Sequence, residues 1–158
     1  MNTLELKENI ESERNQIFES IIKNSDSAII SLSLDGYILS WNLSAETIYG
    51  YSASSMLGTN IYDSQNPYSS AENINYFESL KNGEYGIEYE TCIEKPNGSK
   101  LYALVSLSPI NNKDGVLIGV SEIIKNISVR KLALMRLQKV QDYMLMVIDL
   151  LPELFAIA

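Results

Sequence analysis

Histidine is absent from this 158-residue chain. That removes His-based acid–base catalysis, most zinc sites and the usual haem ligand, leaving only Met, Tyr or Cys to hold haem iron. There is one cysteine, Cys92, which excludes an internal disulfide and any cysteine-rich metal site. Basic residues are outnumbered, 12 Lys and Arg against 20 Asp and Glu, for a net charge of −8. Nucleic acid and anionic membrane surfaces both require basic patches, so neither is an expected partner. No apolar run approaches the length of a membrane span, so no membrane contact by this chain is expected. Residues 1–23 carry acidic side chains throughout and no apolar block, which does not read as a signal peptide. A cytoplasmic location is expected.

What the chain does have is an apolar content of 46%, ample for one core. Its length fits a single domain with extensions, or part of a longer chain. From Tyr85 the odd positions Tyr85, Ile87, Tyr89, Thr91 and Ile93 alternate with Gly86, Glu88, Glu90, Cys92 and Glu94. A period of two puts one side of a strand on a core and the other towards water. Pro96-Asn97-Gly98-Ser99 follows, and Asn-Gly between two strand-like runs is a strong hairpin signal. A run from Leu101 to Ile110, a turn at Lys113-Asp114-Gly115 and a run from Val116 to Ile124 complete three consecutive strands. Their shared face needs covering by the segments before and after it.

Those segments can be placed. Residues 4–23 space Leu6, Ile10, Ile17, Phe18, Ile21 and Ile22 as an amphipathic helix, either packed on the domain or shared with a second subunit. Ala28 to Leu34 and Tyr37 to Trp41 read as strands around an Asp35-Gly36 turn. Asn42 is placed to cap a helix over 43–50 that Gly50 stops. A short helical turn lies within 52–58, and 59–70 is mostly loop. Residues 71–81 form a helix with Ile74, Phe77 and Leu80 on one face, ended by Asn82-Gly83. Two strands, a helical insert and three strands give an α+β fold, a five-stranded antiparallel sheet with short helices on one face and helices at both ends.

From Val129 the pattern turns helical again. Ala133, Leu137, Val140, Met144, Val147 and Leu151 step by four and three, which is a heptad seam. The seam wants either a partner helix or its own sheet. Pro152 is expected to end that helix. The segment 151–158 looks like the truncated opening of a second repeat, so the chain is expected to be the N-terminal part of a longer protein.

Taken in order, these residues resemble the PAS family of sensory domains. The carriers are Asp35-Gly36, Trp41-Asn42-Leu43-Ser44-Ala45-Glu46, Tyr49-Gly50-Tyr51 and Leu57-Gly58. They continue with Pro96-Asn97-Gly98, Ser108-Pro109-Ile110, Asp114-Gly115, Gly119-Val120 and Asn126-Ile127-Ser128-Val129-Arg130-Lys131. The resemblance covers about residues 17–131. It implies an N-terminal helix over 1–23, a sensory domain over 24–128 and a signalling helix over 129–150. It also implies a small-molecule or cofactor cavity between the sheet and the short helices. On the strand phases above, that cavity would be lined by Ile30, Leu32, Ile48, Ile61, Phe77, Thr91, Ile93, Ala103, Val105 and Ser121. A core packed solid with the same residues reads identically, so a ligand-free dimerisation module remains open.

The signal junction would comprise Asn126, Ile127, Ser128 and Arg130. The family's usual Asp-Ile-Thr is here Asn126-Ile127-Ser128, so the ion pair that the aspartate often makes is replaced at most by a hydrogen bond. The dimer helix would use Leu137, Val140, Met144 and Val147, with a homodimer formed through the N- and C-terminal helices. The light-sensing branch attaches flavin through Gly-x-Asn-Cys. Here Gly58-Thr59-Asn60 is followed by Ile61, so the reactive thiol is missing, and the strand phase sets Cys92 on the face opposite the cavity. No cofactor is identified: His-ligated haem is excluded, and either nothing or an unidentified small molecule is expected. Glu88 and Glu90 share a solvated strand face and make no acid–base pair in a pocket, so the chain is read as regulatory rather than catalytic. Its expected setting is a two-component sensor histidine kinase.

Overall fold

A computed structural model describes the chain over 3–156, with side chains over 5–152. The elements are α1 (Thr3–Lys23), β1 (Ala28–Ser33), β2 (Ile38–Trp41), α2 (Leu43–Tyr49), α3 (Ala53–Met56), α4 (Ala71–Lys81), β3 (Ile87–Glu94), β4 (Lys100–Asn111), β5 (Leu117–Asn126) and α5 (Ser128–Ala156). The five strands form one antiparallel sheet in the order β2-β1-β5-β4-β3. One compact unit ends at Asn126 and a second begins at Ile127.

Three hairpins share one turn geometry. In the β3–β4 turn, Gly98 N–H donates to Lys95 O at 2.8 Å, Lys95 N–H donates to Ser99 O at 2.8 Å, and Gly98 sits at φ 79°. Asn97, a residue type that tolerates positive φ, does not adopt it here. Among the described residues no non-glycine has positive φ, and Asn97 accepts the Ser99 N–H on Oδ1 at 3.0 Å. This is a three-residue loop in which only the last position needs the left-handed region, hence glycine. The same pattern joins Ser33 to Tyr37 through Gly36 and Asn112 to Val116 through Gly115.

The sheet's inner face carries the core. Ala28, Ile30 and Leu32 of β1, Leu101, Ala103, Val105 and Leu107 of β4, and Val120 and Ile124 of β5 are buried at period two. Ile48, Met56, Ile61, Phe77 and Leu80 cover them from the helical side. Close approach of strands β1 and β5 requires Gly119, where a Cβ would lie 2.6 Å from the Leu32 carbonyl oxygen.

Capping follows the expected chemistry. Asn42 Oδ1 accepts the Ala45 N–H at the start of α2, and Gly50 ends α2 at φ 81°. Ser70 caps α4 through Asn73 N–H at 3.0 Å. Helix α1 leaves Leu6, Ile10, Ile17, Phe18 and Ile21 exposed; near its end Ile22 and Lys23 face Trp41 and Leu43 across an open groove. Helix α5 departs from expectation. It runs through Pro152 to Ala156, so Pro152 does not end it and 151–156 is not a strand; 157–158 lie outside the described residues. Among the described residues no helix is long and apolar enough to cross a membrane.

Candidate functional site: a tyrosine-lined cavity and a buried glutamate

A cavity of about 330 Å³ opens between the edge strand β3, the N-terminal end of α4 and the segment after α2. Tyr49 and Tyr51 come from the end of α2, Pro67, Tyr68, Ser69 and Ser70 from the approach to α4, Glu72 and Asn73 from its first turn, and Thr91 to Glu94 from β3. Local hydrogen bonds fix this wall. Asn66 is buried; its Oδ1 accepts the Tyr68 N–H at 2.9 Å and its Nδ2 donates to Asn60 O at 2.9 Å. Asn73 Nδ2 donates to Tyr68 O at 2.9 Å, and Asn73 Oδ1 accepts the Tyr89 hydroxyl at 3.0 Å. The Thr91 hydroxyl reaches Glu72 Oε2 at 3.4 Å.

Aromatic rings fill the space behind the wall. Trp41 meets Tyr49 and Tyr68 at centroid distances of 5.2 and 5.7 Å, and Tyr49 meets Tyr68 edge-on at 5.3 Å. Offset and edge-on arrangements of this kind are the favoured ones. Trp41 Nε1 donates to Tyr51 O at 3.0 Å, which ties the rings to the segment following α2.

Among these rings and the inner sheet face lies Glu122, only 1% exposed. Its register neighbours are Ile30 on β1 and Leu107 on β4, both buried. The Tyr68 hydroxyl donates to Glu122 Oε2. None of the ion pairs among the described residues includes Glu122. Burial pushes its carboxyl up to about 7, with the Tyr68 hydrogen bond acting the other way. Burial also drives the Tyr68 and Tyr49 hydroxyls well up, reinforced by the negative charge of Glu122, and Tyr89 rises for the same two reasons.

The expected cavity residues separate into three groups. Thr91 and Ile93 line the cavity. Ile30, Leu32, Ile48, Ile61, Phe77, Ala103 and Val105 are buried in the core instead. Ser121 is a correction: β5 turns Val120, Glu122 and Ile124 inward, so Ser121 lies on the other face, donating to Ser108 O at 3.3 Å and standing opposite Ser31. Cys92 is exposed, and it borders the cavity rim rather than standing apart from it. At the junction, Asn126 closes β5, Ser128 opens α5 and Ile127 O accepts the Lys131 N–H at 2.8 Å. Arg130 is exposed, as are Leu137, Val140, Met144 and Val147 along α5.

Sequence reasoning missed Tyr68 and Glu122. The available signal was a carboxylate spaced two residues from both Val120 and Ile124, and a tyrosine inside a loop rich in small polar residues.

Comparison with known proteins places this architecture. No curated protein matches the chain. Among solved structures, an RNA-binding light-oxygen-voltage receptor is 18% identical with a TM-score of 0.65, over 81% of this chain and 37% of that one. The chain thus spans little more than a third of that receptor. The PAS domain of an HTR-like protein from Haloarcula marismortui is 23% identical with a TM-score of 0.59, over 78% of this chain and 99% of that one. The PAS domain of a protein from Colwellia psychrerythraea is 20% identical with a TM-score of 0.60, over 72% and 96%. At these identities the likeness speaks for the fold. The PAS domain family itself matches residues 25–129, more than half of the sequence and the whole of the sheet, and the chain therefore belongs to the PAS domain family of sensory modules.

Proposed function

We propose that this chain is the small-molecule-sensing PAS module of a larger signal-transduction protein, with a sensor histidine kinase as the expected parent. The observation that carries it is the cavity of about 330 Å³ on the β3 edge, walled by tyrosines and lined by Thr91 and Ile93. Small-molecule sites are concave, with placed polar groups that fix the ligand's orientation. Here those groups are the tyrosine hydroxyls, Asn73, Thr91 and Glu72. A ligand that prefers one arrangement of the wall shifts the population of that arrangement in proportion to its differential affinity. The strand Leu117–Asn126 leads directly into α5 and offers the covalent route outward. The exposed residues Leu137, Val140, Met144 and Val147 on α5 support a homodimer in which that helix meets its copy. The exposed apolar side of α1 supports a shared role for the N-terminal helix as well.

Thr91→Trp fills the cavity from an edge strand that tolerates a large ring. In a ligand-observed NMR screen of small molecules, the full chain should retain binders that Thr91→Trp loses, with unchanged far-UV circular dichroism. Binding that survives Thr91→Trp contradicts the site. The ligand-free dimerisation reading is favoured by the packing of Ile30, Leu32 and Phe77, each fully buried; it predicts a screen without binders and an intact dimer.

A further inference from the structure

We propose that Glu122 and Tyr68 form a proton-responsive latch that holds the cavity wall against the last strand of the sheet. The argument begins with position. Glu122 belongs to β5, the strand that ends at Asn126, and Tyr68 belongs to the segment that forms the cavity wall. Their hydrogen bond joins residues 54 apart in the chain and is buried. The wall's other ties either run within the helical insert, from Asn66 and Asn73 to Tyr68, or reach the edge strand β3, from Asn73 to Tyr89 and Glu72 to Thr91. Among the described residues, the Tyr68–Glu122 bond is the side-chain tie from this segment to β5.

Next comes charge. The groups facing Glu122 are Tyr68 before α4, Tyr49 from α2 and Tyr89 from β3, with Glu72 of α4 acting on Tyr89. From β1 and β4 the neighbours are Ile30 and Leu107. No cation is among them. An ionised carboxylate in such a site is costly unless it gains water or further donors. Water would arrive through the cavity, whose wall is Tyr68 and Tyr49 themselves. A loosened wall therefore solvates Glu122 and lowers its proton affinity relative to the closed wall. By linkage, loss of the proton favours the loosened wall and uptake favours the closed one. Raising pH through about 7 should thus open the wall. The latch is independent of which ligand, if any, occupies the cavity.

The composition makes the test clean. The chain has no histidine, the side chain whose ordinary proton affinity puts its charge change between pH 5 and 8. The single tryptophan, Trp41, is 6% exposed and touches Tyr68, so its fluorescence reports on the wall. Acrylamide quenching of Trp41 in the full chain should rise about twofold or more between pH 5.5 and 8.5 as a burial-protected ring becomes reachable. Carbon-13 NMR of labelled glutamate carboxyls should show one group titrating near 7. Glu122→Gln should hold quenching at its low-pH value throughout and delete that carboxyl signal. Tyr68→Phe should move the midpoint upward by about one pH unit, because a hydrogen bond to the ionised form is gone. Cys92→Ser should change nothing, which removes the thiol as a source. Quenching that rises equally in Glu122→Gln, or a set of glutamate carboxyls that all titrate below pH 6, overturns the proposal. So does a Tyr68→Phe midpoint identical to that of the unaltered chain.

Discussion

Asn42 uses both sides of its amide twice. Oδ1 accepts from Ala45 N and Ile29 N, each at 3.0 Å, while Nδ2 donates to Ile22 O at 2.9 Å and Ser27 O at 3.0 Å. One buried side chain thereby ties the end of α1, the start of β1 and the start of α2. Asn42→Asp keeps the cap acceptor but presents oxygen to two carbonyl oxygens. Buried groups left facing like partners cost about 1–3 kcal/mol, while the retained cap costs nothing. Urea denaturation should therefore show a loss of about 1–3 kcal/mol for Asn42→Asp; an unchanged stability would contradict the three-way tie. Asn42 was readable in the sequence because capping is local chemistry. Glu122 was not, because β5 has apolar residues on both faces: Val120 and Ile124 are buried while Ile118 and Ile123 are exposed. With no clean alternation, the phase was read one residue off and Ser121 was turned inward in its place.

The stability consequence of Glu122 also belongs to the residue. Its folded value of about 7 lies above the ordinary 4.5. The folded state therefore keeps a proton that the unfolded state releases between those values. Glu122's contribution is fully present below about pH 4.5 and lost as pH rises through about 7. The loss amounts to about 3 kcal/mol over that window. Denaturation of the full chain at a series of pH values should show this decline, and Glu122→Gln should lack it. Parallel pH profiles for the two proteins would exclude the buried carboxyl as its source.

At the scale of elements, the hairpins were legible and their geometry was not. Gly36, Gly98 and Gly115 marked the turns, but which residues went left-handed depended on a three-residue loop that pattern alone does not distinguish from a two-residue one. Pro152 misled for a related reason. A proline removes one N–H donor and crowds the carbonyl four residues back, which usually stops a helix. Here α5 continues one further turn, to Ala156. The heptad residues on α5 carry the dimer proposal: Leu137 and Met144 are 67% and 60% exposed, which a helix of this apolarity retains in water only at a cost. Leu137→Glu with Met144→Glu should weaken dimerisation by tenfold or more, read as mass against concentration by light scattering. A pair of charges that leaves the mass curve unmoved would exclude this face as the interface.

For the molecule as a whole, the sheet order β2-β1-β5-β4-β3 brings the last strand to the centre, between the first and the fourth. That placement pairs β5 with both β1 and β4, and the chain then runs directly into α5. Alternation, turn residues and element order anticipated the five strands, their antiparallel pairing and the helical cover, and the family resemblance agreed with them. The site was only half legible. Its strand side, Thr91 and Ile93, followed from alternation, while its tyrosine wall depends on how the segment before α4 folds back, which no period encodes. Native mass spectrometry of gently purified full chain tests the central claim most directly, since it reports bound small molecules and subunit count together. A dimer carrying one small molecule per chain, or acquiring one from a small-molecule library, is the predicted result. A bare chain that retains no library member under any condition would contradict it.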